Sequence, residues 1–305
     1  MGAKRLNRMA MRAATERSLI DATALIQGRE FESIEEANAF LQKVLKEGGL
    51  PPAPADTPLL QAQQVAYDAM EATGRRRVVL ARRALEISED CADAWVILAG
   101  EERKSLRKAL EYARKGVAAG ERALGKEVFE EEVGNFWTLI GTRPYMRALF
   151  ALAELLWATG DKDEAIGLYQ EMLRLNPDDR QGVRYIVMQI FAEANRDDLL
   201  ESILDEHGED PTATVAYARA LWLFRKEGAG PAADAALDDA LQKNSFVPQY
   251  LLAFRALPSR MPDYYGLGDR NEAIVYAMTA LDGWIGTEGA PAWLASRVRK
   301  MRSSR

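Results

Sequence analysis

The chain's one histidine, His207, stands in Asp205-Glu206-His207-Gly208-Glu209-Asp210, five polar groups in six residues. An imidazole among carboxylates is a set that a divalent cation uses. Metal sites, however, impose a ligand period, and a lone His with loop carboxylates has none. The segment reads as the charged loop that ends a helix, and no metal is expected. A Ser or Cys nucleophile would need this same exposed His207 as its base, so hydrolase chemistry is not expected either. Cys91, the single cysteine, has no CxxC partner and precedes a helix on an apolar-flanked segment, so it reads as a small buried residue. Glu101-Glu102 and Glu130-Glu131-Glu132 imitate paired acid–base carboxylates, but such runs are ordinarily solvated helix faces. Gly228-Ala229-Gly230-Pro231 follows no strand and is not a phosphate cradle; GxGxxG and Walker loops are lacking. The expectation is no catalytic residue and no cofactor, which leaves function to a surface.

That surface must be built from helices. Ala, Leu, Glu and Arg dominate the 305 residues, and all four are good helix formers. Hydrophobic residues at 48% and charged residues at 28% describe a globular chain with ample core. Runs of β-branched residues are scarce, so the fold class is all-α. The net charge of −6 is unevenly spread. Residues 1–17 carry +4 and residues 297–305 carry +5, on a body near −15. Basic ends on an acidic body suit nucleic acid, anionic lipid or an acidic protein, or are simply two solvated termini. One cysteine fits a reducing compartment, and the N-terminus has no apolar run behind its positive charge. Ala148 to Ala158 is too short to span a bilayer. The expected location is the cytoplasm.

The helices repeat. Gly160-Asp161-Lys162-Asp163-Glu164-Ala165-Ile166 recurs as Gly268-Asp269-Arg270-Asn271-Glu272-Ala273-Ile274. The glycine takes the left-handed conformation that stops one helix, and the alanine lets the next pack close. From Met146, a first helix carries Leu149, Leu152, Ala153 and Leu156, and a second carries Ala165, Tyr169, Leu173 and Leu175 before Pro177 breaks it. Pro211 follows Pro177 by thirty-four residues, the period of the tetratricopeptide repeat. Units from Arg180, with Asn195 as the turn, and from Thr214, with Gly228 as the turn, keep the pattern. The chain therefore resembles a right-handed α-solenoid of tetratricopeptide-like pairs. Residues 1–58 read as an N-terminal helical arm ending in a Pro/Gly linker, which either docks or stays mobile. Degenerate repeats are expected over 59–140 and three regular repeats over 146–247. An interrupted repeat with a C-terminal capping helix and a basic tail is expected over 248–305.

Three further stretches carry a second likeness. The segment from Ala84 to Glu102, around Cys91 and Trp95, resembles the helical-repeat proteins named for suppression of tumorigenicity and their bacterial relatives. Phe136-Trp137 with Thr142-Arg143-Pro144-Tyr145-Met146-Arg147-Ala148, and Pro262-Asp263-Tyr264-Tyr265-Gly266, resemble further signatures of that group. The resemblance implies a tetratricopeptide-like fold and no catalytic residues.

In this repeat class, positions 2, 5, 9 and 12 of each first helix line the concave side. Here they are Arg147, Phe150, Glu154 and Trp157; then Gln181, Arg184, Met188 and Phe191; then Val215, Ala218, Trp222 and Arg225, with Lys226 beside them. Aromatics interleaved with Arg suit a peptide or protein partner that has apolar anchors and a carboxylate. The competing reading packs Trp157 and Trp222 between repeats. Asp263, Tyr264 and Tyr265 form a possible lid over one end of the groove. Nucleic-acid binding through the basic ends and small-molecule sensing are the alternatives.

Overall fold

The computed structural model describes residues 8–102 and 104–303, and their regular structure is entirely helical. They divide into two compact units between Gln181 and Gly182, inside the stretch where three regular repeats were expected.

The first unit is built from helix hairpins. α1 (Arg8–Ile26) and α2 (Ile34–Glu47) come first. Three pairs follow: α3 (Pro58–Glu71) with α4 (Gly74–Ile87), α5 (Ala92–Glu101) with α6 (Leu106–Glu131), and α7 (Arg143–Thr159) with α8 (Lys162–Leu175). Each pair packs on itself, and the first helices pack in sequence, α3 on α5 and α5 on α7. Small residues permit this. Ala62, Ala66 and Ala69 on α3, with Ala81 and Ala84 on α4, have no solvent exposure. Gly120 on α6 lies against α7 so closely that a Cβ would stand 2.8 Å from Tyr145 Cδ2.

The hairpin signals act as the sequence implies. Thr57 caps α3 by accepting from Leu60 N–H. Gly160 takes φ +94° and closes α7, and Ala165 is fully buried behind it. The N-terminal arm behaves as two different things. α1 packs on α3 and buries Ala10, Ala13 and Glu16, whereas α2 has no buried residue. α6, within the stretch where degenerate repeats were expected, continues to Glu131 past a kink at Gly125.

The second unit holds α9 (Arg184–Glu193), α10 (Asp197–Glu206), α11 (Ala213–Glu227), α12 (Pro231–Lys243), α13 (Val247–Leu251), α14 (Arg270–Ile285) and α15 (Ala290–Ser303). α9 starts later than its repeat predicts. Asp179 and Gly182 hold positive φ, so Gln181 lies outside the helix. Asn195, at φ +56°, makes the α9–α10 turn as expected. Within the interrupted repeat expected over 248–305, α13 stops at Leu251, and Ala253 beyond it adopts φ +56°. α14 packs on α9, α11 and α13, and α15 packs on α12, α13 and α14. The core here is aromatic: Tyr217 with Tyr276 at 5.5 Å, and Phe224 stacked on Trp293 at 4.6 Å.

The two Gly-Asp-x-x-Glu-Ala copies keep the small residue and divide over the acid. Ala165 and Ala273 are both fully buried. Glu164 is exposed and paired with Arg114 of α6 at 2.7 Å. Glu272 is buried and accepts from Ala213 N–H, Gly268 N–H and Asn244 Nδ2, which pins the start of α14 to the start of α11.

Candidate partner-binding surfaces

Arg147 does not face a partner. Its side chain is 6% exposed and grips Asp93 through Nε and Nη2, both at 2.7 Å, and Glu16 of α1 through Nη1 at 2.7 Å. Gln63 Nε2 donates to Asp93, Tyr67 O–H donates to Glu16 Oε2, and Arg143 Nη1 lies 3.6 Å from Glu16 Oε1, the oxygen that Arg147 holds. Burial disfavours the Arg147 cation, but the charge and hydrogen bonds of Asp93 and Glu16 outweigh it and raise its pKa. The Arg12 guanidinium, 5.9 Å from the Trp137 ring, is lowered by desolvation and by Arg147.

Further along α7, the expected face is accessible. Phe150 is half-buried, with its ring edge to Tyr169 at 6.2 Å. Trp157 is half-buried, with Lys162 Nζ 4.4 Å from its ring centroid. Glu154 is exposed, yet desolvation alone raises its carboxyl pKa.

In the second unit, Met188 and Phe191 are buried at 0% and 2% exposure, so they belong to the core of α9 and not to a contact face. Arg184 donates to Tyr185 Oη at 2.7 Å and Asp210 Oδ2 at 3.1 Å. Burial opposes the Asp210 charge, but hydrogen bonds from Thr212, Tyr185 and Arg184 win and hold its pKa at about 2. Arg225 is a structural clamp. It donates to Asp197, Thr287 and the Ala192 and Gly283 carbonyls, tying α11 to α10, α9 and α14. Trp222 is half-buried under Lys226, whose Nζ lies 4.6 Å from the ring and also pairs with Glu201 at 3.0 Å. Tyr264 and Tyr265 are exposed, and Asp263 pairs with Arg260. Their loop is tied to the start of α14, by Asn271 Nδ2 to Tyr264 O and by Gly266 N–H to Asp269.

Three arginines expected to receive a partner's carboxylate thus already hold the chain's own. A signal for one pairing was present: in a repeat register that puts Trp95 and Leu149 at the fourth position of their first helices, Asp93 and Arg147 both take the second. Two residues of the basic ends are likewise engaged. Arg17 pairs with Asp68 and Glu71, and Arg297 with Asp234 and Asp238. Lys4, Arg5 and Arg305 lie outside the described residues, and the Arg8 and Arg302 side chains are likewise not described. Cys91 is buried, and burial pushes its thiol up to about 12. Among the described residues no cluster of three His, Cys, Asp or Glu could hold a metal ion. No helix among them is long and apolar enough to cross a membrane. A cleft of ≈ 460 Å³ lies on the first unit between Trp95, Lys115, Arg122 and Asp90, and Arg122 and Asp90 pair across it.

Stacked helix hairpins with a glycine turn and a small residue behind it define a helical-repeat protein of the tetratricopeptide type. Residues 146–179, which are α7, α8 and the turn after them, match the family model described as tetratricopeptide repeat. The chain is similar to Protein ST7 homolog of Drosophila pseudoobscura pseudoobscura, 24% identical over 260 residues, covering 75% of this chain and 47% of that protein. It is similar to Suppressor of tumorigenicity 7 protein-like of Gallus gallus, 25% identical, covering 78% of this chain and 45% of the relative. The Drosophila melanogaster ST7 homolog is 24% identical, over 75% and 48%. The chain spans about half the length of the curated relatives it matches.

Proposed function

We propose that this chain is a non-catalytic, cytoplasmic helical-repeat adaptor that holds a protein segment against Phe150, Glu154 and Trp157 of α7. One observation carries the reading. Glu154 stands solvent-accessible on α7 between half-buried Phe150 and Trp157, and desolvation disfavours its charge. Such a group gains by receiving a cation, and the rings supply apolar contact. The partner is therefore a segment with an apolar anchor beside Lys or Arg, not the acidic segment that the arginines alone suggest. Trp222 with Lys226 offers the second unit a separate aromatic surface. Nucleic-acid binding through the ends is disfavoured by the internal pairing of Arg17 and Arg297.

Selection from a random peptide display library tests this. Enriched sequences should pair Lys or Arg with an aromatic or aliphatic residue. Glu154→Gln and Trp157→Ala should each weaken the selected peptides about tenfold or more, the range of a hot-spot contact. Peptides that bind folded Glu154→Gln and Trp157→Ala as well as wild type would reject the α7 surface.

A further inference from the structure

α2 is a helix specified by its own ends. Ser33 Oγ accepts from Glu36 N–H at 3.2 Å, and Glu36 Oε2 accepts from Glu32 N–H at 2.7 Å. At the other end Gly48 N–H and Gly49 N–H donate to the Val44 carbonyl. Yet α2 has no buried residue, and no described helix packs on it as α3 packs on α1. Phe40 is half-buried, with the Phe31 ring at 5.7 Å and the Arg29 guanidinium at 4.6 Å, both from the turn before the helix. A helix of this length standing alone in water is marginal, so α2 gains from a further contact.

Its outer edge carries a pattern. Ile34 and Leu45 are 77% and 55% exposed. Eleven residues make three helical turns, so the two side chains share one edge, with exposed Asn38 and half-buried Leu41 between them. Glu35 and Lys46 have the same spacing and share the adjoining flank. Both are exposed, and the described ion pair of the helix joins two other residues, Lys43 and Glu47. This edge is complementary to itself. In an antiparallel second copy each Ile34 meets the other's Leu45 and each Glu35 meets the other's Lys46, with Asn38 and Leu41 beside the two-fold axis. A parallel copy sets Glu35 on Glu35 and Lys46 on Lys46, and like charges repel.

We propose that α2 is a dimerisation helix, and that two copies of this chain join through an antiparallel α2–α2 pair. One helix on one helix buries less than the about 800 Å² per partner of a standard interface, so the dimer is concentration-dependent. The proposal goes beyond the α7 surface and does not depend on it.

Sedimentation equilibrium of the full chain over a concentration series tests it. The average mass should rise from 33.9 kDa toward twice that value. Glu35→Lys and Lys46→Glu should each weaken the dimer about tenfold, because two symmetric contacts turn from attraction to repulsion. An equimolar mixture of the two variants should associate again, since each brings one sign to both contacts, and damage to the helix would not produce that rescue. A mass that stays at 33.9 kDa at every concentration overturns the proposal. So does a dimer that both variants leave intact. Flotation of a monomeric chain with anionic vesicles, abolished by Ile34→Ser, would give the edge to a membrane surface and overturn it as well.

Discussion

Replacing Arg147 by Met keeps much of the side chain's length and removes its charge, so it isolates what the cation does. Asp93 is fully buried and Glu16 is 2% exposed. Removing one partner of a buried ion pair costs about 3–5 kcal/mol, because the remaining charge is left uncompensated. The two carboxylates do not share that cost equally. Glu16 sits on α1 and escapes to water when the helix undocks, so its penalty cannot exceed the docking energy of α1. Asp93 sits on α5, packed by α3 and α7, and keeps only Gln63 as a side-chain donor. The loss should therefore fall mainly on α3 to α8, with α1 released first. In a unit of this size it corresponds to a fall in Tm of about 6–20 °C. Urea unfolding read by hydrogen exchange in peptides from α1, α5 and α7 measures both parts. A double variant, Arg147→Met with Asp93→Leu, should recover most of the stability, since apolar groups replace buried ions at little or no cost. Its α1 should stay released, because Glu16 still lacks its main partner. A loss below about 1 kcal/mol in the single variant, or no recovery in the double, would refute the reasoning.

Two glycines should respond with opposite signs. Gly120→Ala puts a Cβ within 3.2 Å of Tyr145 Cα as well as its ring, so overpacking should exceed the helix-propensity gain and cost about 1–2 kcal/mol. Gly100→Ala meets nothing within 4 Å on α5 and should gain up to about 1 kcal/mol; urea midpoints of the two variants check both. Asp210 gives the second unit an acid-sensitive contact. Its folded pKa, depressed to about 2, lies below the ordinary value near 4, so its contribution is full above about pH 4 and is lost as pH falls through 2. Asp210→Asn should flatten that part of the acid limb, measured as urea midpoints of the second unit at pH 5 and pH 3.

The repeat was legible because its signals are local. Gly160, Ala165, Asn195 and the aliphatic stripe of α7 each specify a turn or a face through backbone conformation or side-chain size, and each does so in the structure. Boundaries failed where a positive φ intervened, at Gly182 before α9 and at Ala253 after α13. Ala253 offers no sequence signal for that conformation, since alanine does not favour it. The accessibility of the candidate surface was legible in part. Position within the repeat put Phe150, Glu154 and Trp157 on an accessible face. The same counting put Arg147 and Arg225 on that face, where long-range partners claim them. Glu16 lies 131 residues from Arg147, and nothing local to either residue announces the other.

That failure shows how charge is used in this chain. An arginine at a groove position is read from sequence as an offer to a partner, because a buried cation needs an anion and none is visible nearby. Here the anion arrives from another element: Asp93 and Glu16 for Arg147, Asp210 for Arg184, Asp197 for Arg225. With Arg147 satisfied inside the first unit, Glu154 is the groove-position charge on α7 that stays solvent-accessible, and desolvation raises its carboxyl pKa. The pairings are of two kinds. Asp93 and Asp197 belong to repeat helices that cannot leave without unfolding a hairpin. Glu16 belongs to α1, which buries Ala10 and Ala13 and packs Met9 and Ile20 on the α3–α5 core, so Arg147 braces Asp93 within the repeats and also ties α1 to α7.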